Sequence, residues 1–331
     1  MKPPRTLLLT RSEIASLLSL KDYIRGIEEA FKMHAQGRSL ATGLLHIDSN
    51  DVEFHIKAGG LRLGRTYFAL KVNGSSFQNR ERYHLPNIMG AIILFDGDNG
   101  YPLAVMDSIE ITIQRTGAAT AVAAKYLART DANTATICGC GNQGRIQLKA
   151  LKEVLPLEQV YAFDLNRYAA EKYALEMAQE LSICATPEAD LNQAVASSDV
   201  VVTCTPARKA VLQKAYVRPG TFIAAVGADS PDKQELETSL LKGNKVVVDI
   251  LAQCAQVGEL HHALEAGLIA LEDVHGELGD VITGKVTGRT NDEEITIYDA
   301  TGTALQDAAG AALCYEKAID TGKGAWVDFQ R

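Results

Sequence analysis

The chain has 331 residues, 47% of them hydrophobic and 22% charged, and a net charge of −8. That length and balance suit a globular protein of two domains, each with its own core. The negative charge argues against nucleic acid or an anionic membrane as partner. No apolar run approaches the ~18 residues of a membrane span. Met1–Thr10 carries positive charge and a leucine triplet, but its apolar part is too short for a signal-peptide core. A cytoplasmic protein is expected. Cys138, Cys140, Cys184, Cys204, Cys254 and Cys314 are scattered. Cys138 and Cys140 lack the spacing and the second pair of a zinc site, so buried free thiols and no metal are expected.

In chain order, Thr10 to Glu13 has the form of a capping box, and a second helix from Asp22 to about Gln36 stops at Gly37. Strands are expected at Val52–Ile56, Thr66–Val72 and Ile88–Phe95. Asp96 to Gly100 then turns the chain into Tyr101–Met106 as a hairpin. Ser108 is expected to cap a helix from Ile109 to about Ala128, rich in alanine and threonine; Arg129 beyond it is the cation a helix end favours. The first hundred residues thus combine helices with a mainly antiparallel sheet.

The short strand Thr134–Cys138 runs into Gly139, Gly141 and Gly144, spaced Gly-x-Gly-x-x-Gly. Gly139 makes the tight turn, Gly141 lets the backbone approach a pyrophosphate, and Gly144 lets the next helix pack on the strand. That helix, from Gln143 to about Val154, points its N-terminus at the phosphates. A second strand, Val160–Phe163, ends in Asp164, about 20–25 residues past the first glycine, where a ribose-binding acid belongs. Helices and strands then alternate as in a doubly wound sheet: helix Arg167–Leu181, strand Ile183–Ala185, helix Leu191–Ala196, then strands Val200–Cys204, Thr221–Val226, Lys245–Ile250 and Ile295–Tyr298. A helix from about Thr303 to Ala318 follows. Ligands bind beyond the carboxyl ends of such strands, which selects the loops Thr203–Arg208, Gly227–Pro231 and Asp299–Thr303.

Further landmarks stand in consistent order: Lys71 to Gly74 with Asn79, Gly100 to Pro102, Arg115 to Ala124, Ala225 to Pro231, and Val281 to Gly284. With them the chain resembles the ornithine cyclodeaminase/μ-crystallin family over essentially its whole length. The resemblance implies a Rossmann-type NAD-binding domain at 117–308, inserted into an α+β substrate and dimerisation domain at 1–116 and 309–331. It also implies a homodimer paired through the first domain's sheet. Members move a hydride between the α-carbon of an amino acid and nicotinamide. Cyclodeaminases use bound NAD+ catalytically to convert ornithine to proline and ammonia. Others are amino-acid dehydrogenases or imine, ketimine and iminosuccinate reductases, and some μ-crystallins bind ligand and cofactor.

Carried over residue by residue, Lys71 falls at the active-site lysine that binds the substrate carboxylate and polarises the imine. Arg115 falls at the arginine that clamps the same carboxylate, and Asp229 at the general acid/base. Cofactor contacts are implied at Gly139, Gly141, Asn142, Gln143 and Gly144. They are implied on the ribose side at Asp164 and Arg167, beside the family's nicotinamide-side serine position at Thr301, and further at Thr203, Thr205 and Lys233. Asp164 predicts NAD(H) in preference to NADP(H), although Arg167 nearby offers a phosphate a cation.

Two departures bear on substrate. Ala41 to His46 contains no arginine where ornithine-using members carry one. The glutamate that contacts ornithine is replaced by Phe54 or His55, with Glu53 one residue off and so expected on the opposite strand face. Lys57 and His55 either replace the lost cation or lie solvated on a half-exposed strand. Ala300 replaces a nicotinamide-side serine. These losses weaken a basic-substrate pocket more than the hydride chemistry. The expected activity is therefore NAD(H)-dependent interconversion of a small amino acid and its imino or keto acid. Ornithine cyclodeamination, or ligand binding without turnover, are the alternatives.

Overall fold

The computed structural model describes residues 5–76 and 78–329; Met1–Pro4 of the N-terminal stretch lie outside them. The chain forms two compact units, one running to Arg115 and resuming at Thr303, the other spanning Thr116–Gly302. The second boundary thus sits at the head of the last helix, six residues before the position 309 expected from sequence.

The first unit contains β1 (Thr6–Leu9), α1 (Arg11–Ala15), α2 (Leu20–Ala35), β2 (Gly43–Ser49), β3 (Val52–Leu63), β4 (Arg65–Ser75), α3 (Asn79–Tyr83), β5 (Ile88–Asp96) and β6 (Pro102–Asp107), and the start of α4 (Ser108–Leu127). The second contains β7 (Thr134–Cys138), α5 (Asn142–Lys152), β8 (Gln159–Phe163), α6 (Arg167–Leu181), β9 (Cys184–Pro187), α7 (Leu191–Ala196), β10 (Val200–Thr203), β11 (Arg208–Leu212), β12 (Phe222–Ala225), β13 (Gln234–Leu236), β14 (Lys245–Val248), α8 (Leu251–Val257), α9 (Glu259–Glu265), β15 (Gly276–Glu277), α10 (Leu278–Ile282) and β16 (Thr296–Asp299). The chain closes the first unit with α11 (Ala304–Thr321) and β17 (Ala325–Val327).

The first unit's sheet has the order β17-β1-β6-β5-β4-β3-β2, antiparallel except where β1 runs parallel to β6. Alternation gives it two unlike faces. One face packs against α11 and carries Lys57 and Lys71, which lie directly opposite each other in register. The other presents half-buried Phe54, Ile56, Val72 and Ile93, flanked by Leu45 and Ile47 at 52% and 46% exposure. The hairpin turn forms as expected: Gly100, at φ 76°, returns its N–H to the Asp96 carbonyl at 2.8 Å. The cap of α4 differs from expectation. Asp107, not Ser108, caps the helix, its carboxylate accepting the Ile109 and Glu110 N–H groups at 3.0 Å each. The Ser108 hydroxyl instead donates to the Asn73 side chain at 2.6 Å, in a gap that side-chain-free Gly90 leaves open.

The second unit's sheet, β15-β14-β16-β12-β10-β7-β8-β9, is parallel throughout. Its chain order reverses between β7 and β10, which is the switch point where doubly wound sheets bind ligands. β10 and β12 are buried along their whole length, as strands covered on both faces must be. Among the described residues no helix is long and apolar enough to cross a membrane.

Candidate active site

In the first unit, β4 and α11 bring Lys71 and Asp307 together, with Nζ 2.7 Å from Oδ2. Arg115, from α4, approaches the other oxygen, Nε at 3.1 Å from Oδ1, and donates from Nη1 to Gln306 Oε1 at 2.6 Å. Lys71, Arg115 and Asp307 are 2%, 4% and 1% exposed. Burial disfavours the ammonium and pushes Lys71 down to about 7, partly offset by Asp307. The two nearby cations hold Asp307 below the usual carboxylate range in spite of its burial. Asp307 was not foreseen in the sequence. An acid in the first turn of a helix is accounted for by the helix dipole alone, so nothing marked it as the counter-ion of two buried cations.

Lys57 is 4% exposed and adds its charge to the same cluster, so the reading of it as a solvated strand lysine is overturned. His55 shares its strand face, because residues two apart point the same way. So does Glu53, whose carboxylate lies 3.5 Å from His55 Nε2. The expectation that Glu53 faces away holds only relative to Phe54. His46, opposite His55 in register, packs its ring edge-on at 4.2 Å.

In the second unit the glycine loop is built as its spacing predicted. Gly139 has φ 106°, open only to glycine without strain. A Cβ on Gly144 would collide with the Gly139 carbonyl. Gly141, the N-cap of α5, is different: a Cβ there would meet no protein atom within 4 Å. The protein itself does not require that glycine, whereas a pyrophosphate drawn to the helix N-terminus does. Asn142 and Gln143 open α5, and Gln143 keeps a buried side-chain oxygen without a hydrogen-bond partner. Asp164 accepts the Cys140 N–H at 2.9 Å and the Asn166 N–H at 2.9 Å, which sets its carboxylate beside the loop. These residues fit a dinucleotide. Arg167 is 83% exposed at its side chain and pairs with Glu171.

The remaining predicted residues form three separate groupings. Asp229 and Lys233 pair with each other, Oδ1 to Nζ at 2.6 Å. The hydroxyls of Thr203 and Thr205 both donate to the buried carboxylate of Glu235, at 2.8 and 2.7 Å. Thr301 donates to Asp249 at 2.9 Å and accepts from Gln253 at 2.8 Å. Thr203 and Thr301 are 0% and 2% exposed, so their side chains brace loops from within. All six cysteines are free, five of them at least partly buried and Cys184 exposed.

The ornithine cyclodeaminase/mu-crystallin family model matches residues 5–322. An alanine dehydrogenase of Archaeoglobus fulgidus is 39% identical over 326 residues, 98% of this chain and 99% of that protein. The solved structure of an archaeal alanine dehydrogenase dimer with bound NAD matches with a TM-score of 0.93 at 39% identity, over 98% of this chain and 99% of the other. The Thermococcus litoralis Δ1-pyrroline-2-carboxylate reductase, in complex with NADH and L-proline, matches with a TM-score of 0.92 at 34% identity, over 97% and 100%. The chain therefore belongs to the ornithine cyclodeaminase/mu-crystallin family, as an NAD(H)-dependent oxidoreductase that interconverts a small amino acid and its imino or keto acid.

Proposed function

We propose that Lys71 and Arg115 hold the substrate's α-carboxylate and that Asp229 exchanges the proton on its nitrogen. The observation that carries the first role is a pair of buried cations sharing one carboxylate, with Arg115 Nε close to Asp307 yet aligned with no acceptor. A buried donor left in that state costs about 1–3 kcal/mol, and a ligand carboxylate relieves it. Lys57 and His55, on the same strand face, extend the polar wall towards the substrate's side chain. Bound NAD(H) supplies or accepts the hydride at the α-carbon. The α5 N-terminus with Gly139, Gly141, Asn142, Gln143 and Gly144 holds the pyrophosphate, and Asp164 the adenosine ribose. Thr205 and Lys233 line the nicotinamide side, and Thr203 and Thr301 support it. Asp164 repels a 2′-phosphate, so kcat/KM with NADH exceeds that with NADPH; equal values would contradict the role given to it.

We further propose a cytoplasmic homodimer. Its support is the half-exposed apolar sheet face around Leu45, Ile47 and Phe54, the dimer of the archaeal relative, and six unbridged cysteines. The test of function is stoichiometric. The protein is incubated with NADH and a panel of imino acids formed from small keto acids and amines. NADH absorbance should fall one-for-one with amino acid formed. Ammonia release from ornithine with no net cofactor change would establish a cyclodeaminase instead, and binding without either a ligand-carrying protein.

A further inference from the structure

Glu235 in β13 is fully buried, and its carboxylate accepts four hydrogen bonds. Oε1 accepts from the Thr205 N–H at 2.6 Å and the Thr205 hydroxyl at 2.7 Å. Oε2 accepts from the Thr203 hydroxyl and the Gly227 N–H, each at 2.8 Å. One side chain thus ties the loop after β10 to the loop after β12, two residues ahead of Asp229. Only glycine fits at Gly227, because a Cβ there would collide with the Thr205 carbonyl and the Glu235 carboxylate. The two backbone N–H groups can only donate, so the group that meets them must offer acceptors on both oxygens. An amide offers one, and aspartate is a methylene short.

The segment carrying Glu235 is itself gripped by α9. Glu259 accepts the N–H groups of Glu235 and Leu236 at 2.7 and 3.0 Å, and His262 Nε2 meets the Lys233 carbonyl at 2.8 Å. Asp299 in turn accepts the Glu259 and Leu260 N–H groups at 3.2 and 2.9 Å. Asp229 is 37% exposed at its side chain and sits between these anchors, with Gly227 fixed on one side and Lys233 on the other.

We propose that Glu235 is a positioning residue that sets the reach of Asp229 by pinning Gly227 to the Thr203–Thr205 loop. This rests on the reading of Asp229 as the acid/base. The experiment is a double-mutant cycle on the full-length protein, measuring kcat, KM and the pH profile of Glu235→Gln, Asp229→Asn and the double variant. Glu235→Gln should lower kcat by about tenfold or more and displace the pH limb that Asp229 contributes. In the Asp229→Asn background the same change should cost less than about twofold, because the group it positions is gone. Factors that multiply would overturn the proposal while leaving Asp229 its role. Wild-type turnover in Asp229→Asn alone would remove that role, and the proposal with it. If Glu235→Gln does not fold, Thr205→Val, nearly isosteric and one donor fewer, takes its place in the cycle. Its factor should be smaller, and it too should shrink towards one in the Asp229→Asn background; a factor that multiplies there would again overturn the proposal.

Discussion

The two units bury charge in opposite ways. In the first, two cations, Lys71 and Arg115, converge on one carboxylate, with a third cation, Lys57, beside them. In the second, the carboxylates of Glu235, Asp249, Glu259 and Asp299 are all buried, and each is met by backbone N–H groups, with hydroxyls or a thiol besides at Glu235 and Asp249. An anion satisfied by backbone donors fixes the chain that bears them, which suits loops that must present a cofactor site without moving. A carboxylate outnumbered by cations leaves positive potential among buried side chains, which suits the anion recognition proposed for it. On the proposed reading, the first arrangement recognises and the second positions.

The largest expected effect lies in the second unit. Asp229→Asn nearly preserves shape and removes the titrating proton, so kcat should fall by about 10²–10⁴-fold with NADH affinity unchanged. A variant that kept most of its turnover and its pH dependence would transfer the acid/base role elsewhere, with Lys71 the first group to test. Next comes Asp307→Asn, which leaves Lys71 and Arg115 buried without their counter-ion. Breaking a buried pair in this way typically costs about 3–5 kcal/mol, visible as a lower midpoint in denaturant. A change within about 0.5 kcal/mol would mean the cations had been neutralised some other way.

The two clusters tilt stability in opposite senses as pH changes. Burial raises Asp299 from 3.8 to about 7, with the Asp249 charge adding to the shift. Between those values the folded form holds a proton that the unfolded form has lost, so stability falls as pH rises from about 4 to about 7. Burial lowers Lys71 from 10.5 to about 7. There the unfolded form holds the extra proton, so stability rises with pH from about 7 to about 10.5. Each of these two groups adds at most one proton to its slope, ~1.4 kcal/mol per pH unit, and Glu235, Asp249 and Glu259, also raised by burial, add to the first. Denaturation across pH should show Asp299→Asn reducing the first slope and Lys71→Met removing the second. A variant that retained its slope would place the titration in another group.

The sequence revealed what depends on local order and missed what depends on register and tertiary partners. Gly139, Gly144 and Asp164 were legible because turn, close packing and strand end are fixed within thirty residues of chain. Lys71 and Arg115 were legible through the family's landmarks. Asp307 was not, since its partners lie far away in sequence and an acid in a helix's first turn has an ordinary explanation. Glu235 ends a polar run, Asp232 to Glu235, that reads as a solvated face, and only the fold shows its carboxylate fully enclosed. Glu53 depended on a one-residue choice of alignment, which reverses a strand face. The edge strand β2 carries a half-exposed apolar face rather than clean alternation, which left it without a strand signal.

The division of labour is tested most directly by equilibrium binding to Lys71→Met, titrated separately with NADH and with a small α-amino or α-imino carboxylate. We expect NADH to bind within about twofold of wild type and the carboxylate to weaken by at least about tenfold, roughly 1.4 kcal/mol. Undiminished carboxylate affinity, or a parallel loss of NADH affinity, would contradict the assignment of substrate recognition to the first unit and cofactor binding to the second.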